Sequence, residues 1–442
     1  MTTAYWAGHA WLDGGVAERV RLVAGGGRWV RVERDAPVAE GDQRLPGLVL
    51  PGFANTHSHA FHRALRGRTH DGGGTFWTWR ERMYALARVL EPESYQRLAT
   101  AVYAEMALAG VTSVGEFHYL HHRLDGSGYD DENAFGRALI AAAGAAGIRI
   151  TLLDACYLSG GLGAAGYLGL DDVQRRFSDG SAARWRQRVS ALTIAESDTA
   201  RIGAAIHSVR AVPADQLAEV VSWARQRPLH AHVSEQPAEN EATLAAHGCT
   251  PTELLARSGF LGPLHTAVHA THLSTSDIRR YGDTATNISF CPTTERDLAD
   301  GIGPASELSA AGARLTLGSD QNAMVDLLEE VRALEMNDRL ASLRRGRFPL
   351  PALVDSLTAA GHASLGWSDT GRLAVGQRAD LVALRLDTVR TAGALPEQAI
   401  LAAGAADVDT VLVDGRVVVS GGRHVLGDIG ALLREAIEPL WR

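Results

Sequence analysis

Cysteine is scarce in this chain of 442 residues: Cys156, Cys249 and Cys291 are its only three, far apart and without CxxC spacing. An odd, dispersed set excludes a disulfide framework and points to a reducing, cytoplasmic compartment. No uninterrupted apolar run is long enough to cross a bilayer. The opening residues MTTAYWAGHAW lack the basic segment and apolar core of a secretory signal. Basic residues are not in excess either. The formal net charge of −8 removes the electrostatic reason to expect nucleic acid or an anionic membrane as partner. What remains is ordinary for a globular protein, with 46% hydrophobic and 21% charged residues. The length suits a large barrel with a smaller companion module.

Both ends of the chain read as β-structure. Ala4–Leu12, Arg19–Ala24, Trp29–Val32 and Leu48–Leu50 precede the long middle; Ala379–Leu384, Val408–Val413 and Arg416–Val419 follow it, the last two flanking the turn Asp414-Gly415. These segments predict a small composite β-sandwich domain from residues 1–50 and 366–442. Between them, residues 51–365 alternate strand-like with helix-like runs. Eight strands are predicted: Val49–His57, Val111–His118, Arg149–Tyr157, Arg201–Ser208, Pro228–Glu235, Thr266–Leu273, Ala285–Pro292 and Arg314–Asp320. Helical stretches lie between, among them Ser94–Ala109, Glu132–Ala146 and Pro213–Arg227, the last opening on its proline, while Ser274 and Asp277 resemble a capping box. Eightfold strand–helix alternation is the pattern of an α/β protein built as a (β/α)8 TIM-type barrel.

The strong polar residues gather where those strands end: His57 and His59, His118, His207, His232 and Glu235, His269, and Asp320. In such barrels the C-terminal face carries the chemistry. Residues two apart on a strand share a face, so His57 and His59 can both enter the barrel mouth. A single HxH is near background, and either histidine alone fits a satisfied core position equally well. The set changes the balance. His230-Ala231-His232-Val233-Ser234-Glu235, His269-Ala270-Thr271-His272 and Leu317-Gly318-Ser319-Asp320 each end an apolar strand in groups that are costly to bury unpaired. Imidazoles with a carboxylate are the donor mixture of a catalytic zinc site, and no cysteine stands near them in the sequence.

The segments PGFANTHSHAFHRAL, HAHVSEQ, VHATHL and LGSD resemble the amidohydrolase superfamily, in its deaminase branch with a single metal. FWTWRERMY, VGEFHYLHH, AAIHSVRAV and CPTTERDLADGIG resemble the formimidoylglutamate deiminases of histidine degradation, and the likeness runs over almost the whole chain. The resemblance implies one Zn2+ per subunit on His57, His59, His232 and Asp320; Fe2+ or Mn2+ suits the same donors. It implies catalytic roles for Glu235, His269 and Asp320, substrate contacts from Arg80, Tyr119, His207 and Arg210, and a homodimer. His272 is then structural, and His121, His122 and His230 lie behind the site or in loops. Phe76, Trp77 and Trp79 read as loop packing that positions Arg80. The chain departs from the pattern at Gln321-Asn322, where such proteins carry Ser-His after the strand-eight Asp, and at His62, where some carry Gln.

The expected reaction is hydrolytic deamination of N-formimidoyl-L-glutamate to N-formyl-L-glutamate and ammonia. The metal would make hydroxide available near neutral pH. Asp320 would accept a proton from the attacking water, Glu235 would pass one to the departing nitrogen, and His269 would orient the attack. Two arginines would bind a small dicarboxylate in bidentate fashion, although arginine more often forms structural ion pairs. Three alternatives stay open: deamination of another carboxylate-bearing amidine or guanidine, a ring aminohydrolase, and a silent homologue that only binds. A ring substrate would want aromatic stacking and few carboxylate-binding arginines, so Arg80 with Arg210 argues against it. The intact set of polar residues disfavours the silent homologue.

Overall fold

The computed structural model describes residues 2–70 and 76–442. In chain order its strands are β1 (Thr2–Leu12), β2 (Gly15–Gly25), β3 (Arg28–Glu33), β4 (Gln43–Leu50), β5 (Phe53–Ser58), β6 (Val111–His118), β7 (Arg149–Cys156), β8 (Gly161–Gly163), β9 (Gly166–Leu168), β10 (Ala200–Ile206), β11 (Leu229–Val233), β12 (His265–His269), β13 (Asn287–Phe290), β14 (Arg314–Leu317), β15 (Leu381–Leu384), β16 (Val408–Val413), β17 (Arg416–Ser420) and β18 (Arg423–His424).

The eight strands β5, β6, β7, β10, β11, β12, β13 and β14 pair side by side and in parallel. A parallel bridge between Ser58 and Asp320 joins the last strand to the first, so the sheet curls round to meet itself. This is the predicted eight-stranded barrel. Strands from the two termini join a second eight-stranded sheet in the order β18-β17-β16-β15-β4-β1-β2-β3. That sheet has its own apolar cluster, with Tyr5, Leu22, Trp29, Val49, Leu381 and Leu412 at its centre.

Pro51 and Gly52 split the apolar run expected to form a single strand, Val49–His57. Proline has no N–H to donate to a ladder, so Val49 and Leu50 close β4 in the terminal sheet and Phe53 opens β5 in the barrel. The boundary between the two sheets is therefore local chemistry. Two other expectations change. Pro213 opens a turn, with the Gln216 amide donating to its carbonyl, and the helix runs only from Leu217 to Trp223. FWTWRERMY lies in a helix, Phe76–Val89, instead of a loop. The capping box at Ser274 and Asp277 is present. Among the described residues no helix is long and apolar enough to cross a membrane.

Candidate active site

Five non-glycine residues near the strand ends adopt left-handed backbone: Ser234, His269, Ala270, Asp320 and Asn322, with φ between 45° and 65°. Such conformations cost about 1–3 kcal/mol each and persist only where surrounding bonds over-determine them. Here the bonds are visible. Ala270 N donates to Val233 O at 3.0 Å, His272 N to Ser234 O at 3.0 Å, Asp320 N to His57 O at 2.9 Å and His59 N to Asp320 O at 2.9 Å. Asn322, completely buried, donates through Nδ2 to Ser58 Oγ and to the His59 carbonyl. A Cβ on Gly318 would lie 2.7 Å from His57 Cβ, so only glycine lets β14 end so close to β5.

These contacts bring together His57, His59, His232, His269 and Asp320, contributed by β5, β11, β12 and β14 or the residues just beyond them. Asp320 Oδ1 stands 3.3 Å from His57 Nε2 and 3.4 Å from His59 Nε2, and His232 Nε2 is 3.1 Å from His57 Nε2. Ligand atoms about 2.0–2.1 Å from a tetrahedral zinc ion stand roughly 3.3–3.4 Å apart. The ring tautomers also fit. His59 Nδ1 faces the Phe117 carbonyl at 2.9 Å and His232 Nδ1 the His207 carbonyl at 2.8 Å. Both Nδ1 atoms therefore carry the proton, and both Nε2 lone pairs point inward. Burial lowers the pKa of His57, His59 and His232, which keeps them neutral. Burial works against ionisation of Asp320, but the surrounding imidazoles outweigh it and hold the carboxyl well below its usual range. Inward lone pairs beside a carboxylate form a donor set that suits a divalent cation.

His269 lies beside this set. Its Nε2 is 3.8 Å from Glu235 Oε1 and 3.8 Å from Asp320 Oδ2, and its Nδ1 is 3.4 Å from Glu295 Oε1. Burial opposes a charge on this ring, yet the Glu235, Glu295 and Asp320 carboxylates raise its pKa to about 10. Cys291 corrects the expectation that no thiol is near, for it is buried with its Sγ within 4.8 Å of ligand atoms of His269 and Asp320. The sequence hid this because residues 269, 291 and 320 sit on three different strand ends. Burial pushes the Cys291 thiol well above its usual pKa, so it stays protonated.

A cavity of about 120 Å³ opens over these groups, and Arg80, Tyr119, His207 and Arg210 all line it. Arg80 sits on the Phe76–Val89 helix with its guanidinium on the Tyr84 hydroxyl (2.9 and 2.7 Å) and over that ring. Tyr119 OH is 2.8 Å from His62 Nε2. His207 packs against Tyr157 and His232. Arg210 reaches Glu235 Oε2 at 3.7 Å and the buried Glu239 Oε2 at 3.5 Å, so it is both a cavity residue and part of an ion pair. The side chains of Phe76 and Trp77 lie outside the described residues. Trp79 lines the cavity and donates its indole N–H to Gln321 Oε1 at 2.8 Å.

Residues that the sequence did not single out complete the surroundings. Glu295 backs His269, and Glu116, buried, accepts the Ala60 amide at 2.7 Å and so fixes the turn that carries His62. Burial drives the Glu116 carboxyl up to about 8 despite the bonds it accepts. Glu116 interrupts the strand Val111–His118, whereas Glu295 stands among the polar residues of CPTTERDLAD and gave no such signal. His272 turns away, bonded to the Asp300 carbonyl, and His122 pairs with Asp179. His118, His121 and Asp154 form a second cluster of metal-ligand type, but Arg188 occupies both Asp154 oxygens at 2.8 and 2.9 Å. That cluster is a buried ion network behind the loop bearing Tyr119.

A closing parallel barrel with histidines and an aspartate at its C-terminal mouth is the architecture of the metal-dependent hydrolases, and the Amidohydrolase family pattern matches residues 48–418. The chain belongs to the amidohydrolase family. It is 37% identical over 440 residues to the formimidoylglutamate deiminase of Pseudomonas aeruginosa, with 96% of both chains covered. It is also 30% identical over 401 residues to the 8-oxoguanine deaminase of the same species, covering 87% of this chain and 85% of that one. An amidohydrolase from Brucella melitensis superposes with a TM-score of 0.93 at 33% identity over the whole of both chains. An adenosine deaminase from Xanthomonas campestris with bound zinc shares the fold at a TM-score of 0.84 and 23% identity, over 98% of this chain and 96% of that one. The chain is thus a hydrolase of C–N bonds in a family of deaminases.

Proposed function

We propose that the protein deaminates N-formimidoyl-L-glutamate to N-formyl-L-glutamate and ammonia, with zinc held by His57, His59, His232 and Asp320. The observation that carries the substrate assignment is Arg80 and Arg210 lining the same small cavity as His269 and Asp320. A linear diacid needs cationic anchors at one end and a hydrolytic centre at the other.

When bound, the divalent cation supplies Lewis-acid activation of water near neutral pH. Asp320 Oδ2, turned towards His269, accepts a proton from the attacking water. The water oxygen bonds to the formimidoyl carbon, giving a tetrahedral centre. Glu235 takes the hydroxyl proton of that centre and passes it to the terminal nitrogen; the C–N bond breaks, ammonia leaves and the formyl C=O forms. His269 orients the attack and steadies charge at the tetrahedral centre. Arg80 and Arg210 take the substrate carboxylates, with Tyr119 and His207 along the wall. Burial raises the Glu239 carboxyl, although Arg210 beside it works the other way.

The test is an ammonia-release panel on zinc-loaded protein with N-formimidoyl-L-glutamate, guanidino acids and nucleobases. Turnover of the formimidoyl diacid at least about a hundredfold faster in kcat/KM than the rest supports the assignment. Preference for a guanidino acid or a nucleobase overturns it.

A further inference from the structure

Gln321 is one of the three residues, with Asn322 and His62, where this chain departs from the pattern it resembles, and its side chain is almost fully buried at the cavity rim. Its amide makes two bonds of opposite sense. Oε1 accepts from Trp79 Nε1 at 2.8 Å, and Nε2 donates to Asp297 Oδ2 at 2.7 Å. Asp297 ends the helix Pro292–Asp297 and also receives His70 Nε2 at 3.0 Å. One side chain thus joins three pieces of the cavity rim: the end of β14, the Pro292–Asp297 helix and the Phe76–Val89 helix.

We propose that Gln321 is a positioning residue that sets the substrate-binding wall, by fixing the helix that carries Arg80 against the strand end that carries Asp320. The inference rests on the reading of Arg80 and Tyr119 as substrate contacts. Arg80 is bonded to Tyr84 on its own helix, so it moves with that helix. Trp79 lies edge-on to the His62 ring at 5.2 Å between centroids, and His62 bonds the Tyr119 hydroxyl. Gln321 therefore supports Arg80 along the helix and Tyr119 through two intervening side chains, Trp79 and His62.

The chemistry of the bridge is specific. An indole N–H only donates and a carboxylate only accepts, so the linking group must accept at one end and donate at the other. The glutamine amide does both. A glutamate in its place keeps the bond to Trp79 but sets a second carboxylate against Asp297, and a leucine keeps neither bond. Combining Gln321→Glu with Asp297→Asn restores one donor and one acceptor, with the polarity of the second bond reversed.

Three variants test this with steady-state kinetics, zinc content and amide hydrogen exchange. In Gln321→Leu, KM for N-formimidoyl-L-glutamate rises roughly ten- to a hundredfold while kcat falls by less than about threefold. Zinc content is unchanged, and peptides within Phe76–Val89 exchange faster while the barrel strands do not. Gln321→Glu shows the same loss, and the double variant Q321E/D297N recovers KM to within about threefold of the parent. A parental KM and parental exchange in Q321L overturn the proposal, as does a double variant no better than Q321E. If the parent protein does not turn over the formimidoyl diacid, the functional reading fails. The exchange measurement then still decides whether Gln321 holds the helix.

Discussion

Glu295 stands directly behind His269, its Oε1 3.4 Å from the ring Nδ1 and also accepting the Cys291 amide at 2.8 Å. The carboxylate is anchored by the backbone of β13's end, and it orients a ring whose other nitrogen faces Glu235 and Asp320. Carboxylates behind functional histidines fix the tautomer and the ring plane. Glu295→Gln is therefore expected to lower kcat about ten- to a hundredfold with zinc content intact. Elemental analysis alongside steady-state kinetics checks this, and loss of the metal would place Glu295 in a different role.

Glu235 is assigned a proton-transfer role and no part in holding the metal. Glu235→Gln removes the transferable proton while keeping the side chain's size. Turnover should fall by about 10²–10⁴ while zinc remains bound. Metal analysis of the purified variant is the deciding measurement, because a variant without zinc makes Glu235 a ligand.

Arg210 lies between Glu235 and Glu239 as well as at the cavity wall. A purely structural arginine here would show its loss in stability, and a substrate anchor would show it in KM. Arg210→Met is expected to raise KM for the diacid by about one to two orders of magnitude. An unchanged KM with a lowered melting temperature removes the arginine from the proposed substrate site.

Arg188 is almost fully buried with bonds to Asp154 and Asp179, and Trp185 donates to the same Asp154. Burial opposes ionisation of both carboxyls, but Arg188 outweighs it and holds them below their usual range. Folded values below the unfolded ones mean that the unfolded chain binds more protons as the solution is acidified. The stabilisation is therefore complete above about pH 4 and is lost as pH falls through the lower folded values. Arg188→Met leaves two buried carboxylates without their cation and should destabilise the protein by about 3–5 kcal/mol at neutral pH. Chemical denaturation of the parent and the variant from pH 7 down to pH 3 checks both statements. The gap between them should narrow at the acid end.

Neighbouring residues were enough to specify the number of barrel strands, the polar groups at their ends and the capping box at Ser274. Each of these is written locally, through strand alternation, helix signals and acids or imidazoles that interrupt apolar runs. The domain boundary was placed at Pro51, but the strand break there was missed, because an apolar run across two sheets looks like one within a single strand. The helix start at Pro213 and the helical state of the Trp79 segment were misread, since a proline or an aromatic cluster suits either conformation. Only the folded chain put Glu295 behind His269, Cys291 beside Asp320 and Gln321 between Trp79 and Asp297. These partners are up to 242 residues apart and meet because the barrel closes, which brings β14 back against β5. Local chemistry chose the donors, and closure of the sheet decided what each of them faces.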